Sequence, residues 1–314
     1  PWAGRCVAEL SAHFTETAID DNVCRSLILL AGVPERDRFG RPEPTRANDP
    51  TGLLAAAQEI PDRIQRVLAA MLPPPPAPSV LVLPRSSPPG AAVSAWERAA
   101  AAGAVRMLAP TSPSLAAALV RTLVLNLAVD PDDEYDDPAV PAIQRTLATL
   151  LVLDVGDVEG VVDEAGRRGG KELRKRLIRV LTIAADMTSN EPQMREAGDP
   201  IPDADRRAAV YDVLFRAGAA RAGGDWGDDA RFGGAELIES LAEQDPEAAL
   251  GRLPSLLGVL LSLLDAHKRP TTSLLLEAGL GTMSETEQFL DRMNRDSAFN
   301  SAISRLTNAV EATA

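Results

Sequence analysis

Residues 157–186 read DVEGVVDEAGRRGGKELRKRLIRVLTIAAD. Val158, Val161, Val162 and Ala165 recur at i, i+3, i+4 and i+7, so they share one face of a helix. Gly169 and Gly170 then interrupt the period. Beyond them Leu173, Leu177, Val180, Leu181 and Ala184 form a second apolar stripe at the same spacing. Two amphipathic helices joined by a glycine turn make a helical hairpin. Its turn and second helix carry Arg167, Arg168, Lys171, Arg174, Lys175, Arg176 and Arg179.

The same period runs through much of the chain, which makes it all-α: an irregular helical array or an α-solenoid of paired antiparallel helices. Composition agrees. Aromatic residues are 4% of the sequence while alanine and leucine dominate, which favours helices packed closely through small side chains over a β-sandwich. A hydrophobic content of 45% excludes wholesale disorder. The net charge of −13 sets up a field that repels nucleic acid and anionic membrane. A local basic patch still acts within a Debye length of roughly 8–10 Å. Lysine occurs only at 171, 175 and 268, and arginine supplies the other cations. That bias is the mark of a high-GC coding sequence, and a bacterial source is expected.

Cys6 and Cys24 are too few for a disulfide framework, so a reducing cytoplasm is the expected compartment. The longest apolar run, Leu256 to Leu264, falls far short of the ~20 residues of a membrane span. No signal peptide opens the sequence, and WAGRCVAEL has the look of mid-helix, so a segment of a longer polypeptide is expected.

Three regions follow from the punctuation. Residues 1–72 form an N-terminal helical region, with a proline-rich, charged loop at 33–50 and a helix over 51–72 that Pro61 ends or kinks near Ile60. Residues 73–90, PPPPAPSVLVLPRSSPPG, form a linker. Residues 91–314 form a helical-repeat-like domain. Its helices are expected at 92–103, 112–128 (Ser112 as N-cap, Pro113 at N1), 139–153, 157–168, 171–186 and 204–219. A glycine-rich loop at 222–234 comes next, then helices at 235–244 and from Asp245 to about Ala266, the latter open to a kink at Pro254, and three shorter ones to the end. An alternative is a β-α-β unit with strands at Val80–Leu83 and Ala104–Leu108, the start of an α/β enzyme-type domain.

The segments KELRKRLIRVLTIAA (171–185) and DADRRAAVYDVLFRAGAA (203–220) both open with basic residues and continue as an alanine- or leucine-rich stripe. Here the chain resembles HEAT or armadillo-type helical repeats over about 139–266. The resemblance implies an extended interaction surface rather than a catalytic centre.

The chemistry-bearing residues are few. Lys171, Lys175 and Arg179 stand at i, i+4 and i+8 and form one charged ridge, which Arg167 and Arg168 extend across the turn. Such a ridge suits an acidic partner or phosphates, or else is a solvated face. Trp226 in GGDWGDD is an exposed-looking aromatic able to anchor a partner, or else it folds back on its own helices. The acidic run DPDDEYDDP (130–138) lacks the glycine and the closing glutamate of a calcium loop. Cys6, His13 and Cys24 lack a fourth zinc ligand. Gly279-x-Gly281 with Ser284 lacks the third glycine of a dinucleotide loop, and Ser284 with Glu287 reads as a capping box. No catalytic, cofactor-binding or metal set emerges. The expectation is a non-catalytic interaction or scaffolding region with a protein partner or another domain of the same polypeptide. A nucleic-acid-binding solenoid using the 167–179 ridge is a further alternative, which the net charge disfavours.

Overall fold

A computed structural model describes residues 20–32, 51–73, 93–128, 137–189, 199–252, 254–255, 257–259 and 304–310. About 82% of these are helical and none lies in a strand, so the protein is all-α. The helices are α1 (Asp21–Gly32), α2 (Thr51–Glu59), α3 (Pro61–Met71), α4 (Ala95–Leu108), α5 (Pro113–Ala118), α6 (Val120–Leu127), α7 (Ala139–Leu153), α8 (Val158–Arg168), α9 (Lys171–Thr188), α10 (Ala204–Ala222), α11 (Asp228–Gln244) and α12 (Pro246–Leu250). Residues 304–310 are helical as well. Among the described residues no helix is long and apolar enough to cross a membrane.

Local chemistry accounts for several of the helix starts. Pro61 cannot donate a backbone hydrogen bond, and α2 and α3 part at Ile60 (φ −134°, ψ 54°). Ser94 and Glu97 form a reciprocal capping box at the start of α4. Asp203 Oδ1 accepts from Arg206 N at 2.8 Å, and Asp245 Oδ1 accepts from Ala248 N at 2.9 Å.

Several expectations need correction. Ala104–Leu108, the second candidate strand, is the end of α4, because its residues continue the alanine-rich helical pattern. The helix expected over 112–128 breaks at Leu119 into α5 and α6, and the Ser112 side chain makes no capping bond. The glycine-rich loop is only 223–227; Gly233 and Gly234 lie inside α11, where a neighbouring helix needs their missing side chains. The helix from Asp245 is interrupted by a turn at Gly251–Arg252, just before the kink expected at Pro254, and residues 254–255 and 257–259 are helical again. Residues 80–83, Cys6, His13, His267, most of the acidic run and the Gly279–Ser284 motif lie outside the described residues, as does most of the proline-rich linker.

The chain divides into two compact units. Among the described residues the first holds those up to Ala165 together with 199–201, and the second holds Gly166–Ser189 and Pro202 onward. Helices α3 and α4, on either side of the proline-rich stretch, belong to the same unit.

The first unit is built around α4, which packs on α1, α3 and α7. Ala99 to Val105 are buried without interruption. Alanine holds no neighbour at a distance, so helix backbones come close to contact. A Cβ on Gly32 would stand 1.8 Å from Ala100 O, and one on Gly103 2.5 Å from Gly32 O. Across α4, the Thr146 hydroxyl of α7 lies 2.8 Å from Ala102 O. Asn126 Nδ2 donates to Leu72 O at 3.3 Å, tying the end of α3 to α6. The buried Asp199 carboxylate accepts from Arg145 and stands 3.7 Å from Arg106.

The second unit contains α9, α10, α11 and α12. Tyr211 reaches Leu241, and Gly218 meets Ile238 and Gly234, so α10 and α11 run antiparallel as a hairpin. Arg174 pairs with Asp229 and Ile178 packs on Gly233, so α9 runs parallel to α11. The helix 304–310 is held to α11 by Arg305 and Asn308, which both donate to the Glu239 carboxylate.

Candidate functional site

The turn between α8 and α9 is fixed by contacts the sequence does not display locally. The Trp226 side chain, only 1% exposed, lies against Gly166, where a Cβ would fall 2.2 Å from the indole. The Arg221 guanidinium covers the same ring at 4.2 Å from its centroid. Trp226 is therefore not the exposed partner anchor that its glycine-rich surroundings suggest; it is a core residue.

That packing sorts the seven cations of 167–179 into two sets. Arg174 turns inward, donating from Nε to Gly166 O at 2.9 Å and pairing with Asp229 at 2.7 Å. Arg176 is 6% exposed and stands 3.4 Å from Glu172. Arg167, Arg168, Lys171, Lys175 and Arg179 are exposed. Arg167 reaches Asp225 at 3.1 Å, and Lys175, 77% exposed, stands 3.9 Å from Glu172. Lys171 and Arg179 make no ion pair among the described residues. All five predicted ridge residues are thus exposed, and Lys171, Lys175 and Arg179 share one face of α9 by their spacing.

The start of α9 adds to this face. Its N-cap is Gly170, whose extended backbone (φ −77°, ψ 175°) carries no capping side chain, and no atom lies within 4 Å of where a Cβ would stand. A helix N-terminus presents N–H groups and the positive end of the dipole. Here those groups lie beside Lys171, with Arg167 and Arg168 just across the turn.

Sequence reasoning passed over a cavity of about 250 Å³ in the same unit, lined among others by Thr188, Arg207, Tyr211, Gln244, Asp245 and Arg252. Most of its polar groups are engaged by neighbouring atoms, Thr188 by Ala184 O and Ala185 O and Gln244 by Ser240. The Tyr211 hydroxyl donates to Leu241 O at 3.2 Å, and burial pushes that phenol well above its usual pKa. Arg252 lies over the Tyr211 ring and pairs with Asp212. The signal that was available is the burial of a tyrosine on the apolar face of α10. In the first unit, burial also pushes up the pKa of the Cys24 thiol. Asp137, at the end of the acidic run, pairs with Arg98 at 2.8 Å. Among the described residues no group of three His, Cys, Asp or Glu is placed to hold a metal ion.

Comparison with family models, with curated proteins and with solved structures found no match for this chain.

Proposed function

We propose that the protein is a non-catalytic helical interaction or scaffolding region whose docking face is the cationic surface of the α8–α9 turn and α9. One observation carries this reading. Arg174 and Arg176 turn into the unit, whereas Arg167, Arg168, Lys171, Lys175 and Arg179 are all exposed along the turn and α9 of a chain whose net charge is −13. A concentration of one sign against the overall field steers and orients a partner. The order of α9, α10 and α11, with alternate helices parallel, supports treating this unit as part of a HEAT-like array. A cytoplasmic setting belongs to the same proposal, and the free, buried thiol of Cys24 suits it.

The test is a photo-crosslinking side chain placed at position 175 in cells, with position 216, an exposed site on α10, as control. A discrete protein adduct at 175 that the control does not give is expected. Identical adducts at both positions, or none at 175, would remove the reading.

A further inference from the structure

We draw no further inference here: the strongest candidate, the cavity of about 250 Å³ where the ends of α9 and α11 meet the first turns of α10 and α12, carries none, because Thr188, Tyr211, Gln244 and Arg252 of its lining already bond to neighbouring atoms and nothing in the structure shows what would fill it.

Discussion

The two units solve the same packing problem with opposite residues. Around α4 the first unit uses alanine and glycine, so that Gly32 and Ala100 bring two backbones together with nothing between them. Around Trp226 the second unit uses the largest side chain available and surrounds it with arginines: Arg221 on the ring, Arg174 on the carbonyl of Gly166. The first solution depends on the absence of atoms and tolerates no addition. The second depends on a few large groups and tolerates no removal. Glycine serves both, since Gly166 is what lets the indole reach the turn.

Truncation should hurt the second unit most. Trp226→Ala is expected to cost about 3–5 kcal/mol, the range for emptying a large buried aromatic site, read as a lower denaturation midpoint and as loss of amide protection at the α8–α9 turn. Addition should hurt the first. Gly32→Ala drives a methyl into the Ala100 carbonyl and is expected to cost about 1–3 kcal/mol through the separation of α1 and α4. A protein that tolerates Gly32→Ala with no shift in its urea midpoint does not have this helix contact.

The comparison sharpens further with a double-mutant cycle. Gly166→Ala alone should destabilise by about 1–3 kcal/mol, whereas in a Trp226→Ala background, with the ring removed, it should cost far less. Additive effects would mean that the methyl and the indole do not meet. Inward and outward cations of α9 should differ in turn. Arg174→Ala is expected to cost about 1.5–3 kcal/mol for a charged group lost from a part-buried bond, and Lys175→Ala within about 0.5 kcal/mol, both by chemical denaturation.

The smallest effect is set by pH. The Ser94 backbone N–H and then the Arg25 guanidinium hold the Glu97 carboxyl below the usual carboxylate range. A depressed carboxylate contributes stability that is present above its unfolded pKa of about 4.3 and is lost as pH falls through the lower folded value. Acid melting curves of Glu97→Gln should therefore converge on those of the parent protein below that range and lie under them at neutral pH. Curves separated by the same amount at every pH would dismiss the linkage.

What could be read without coordinates was local. The stripes of 158–165 and 173–184 have helical period, Gly169–Gly170 break it, and both helices form with ends within a few residues of those expected. Lys171, Lys175 and Arg179 share an exposed face because spacing by four on a helix places them there whatever else the chain does. Ile60 before Pro61 and Asp245 before Pro246 are likewise set by the neighbouring bond. The failures share one cause. Trp226 sits among glycines and aspartates, and Gly233–Gly234 resemble a loop, yet each is packed by a residue of another helix: Gly166 against Trp226, Ile178 against Gly233 and Arg221 against Gly234. Nor does spacing distinguish Arg174 and Arg176 from Lys175. Helix type and charge periodicity follow from interactions within a few residues, so the sequence by itself determined them. Which aromatic is buried, and which cations remain outward to meet a partner, depended on groups distant in the chain, so only the tertiary structure decided it.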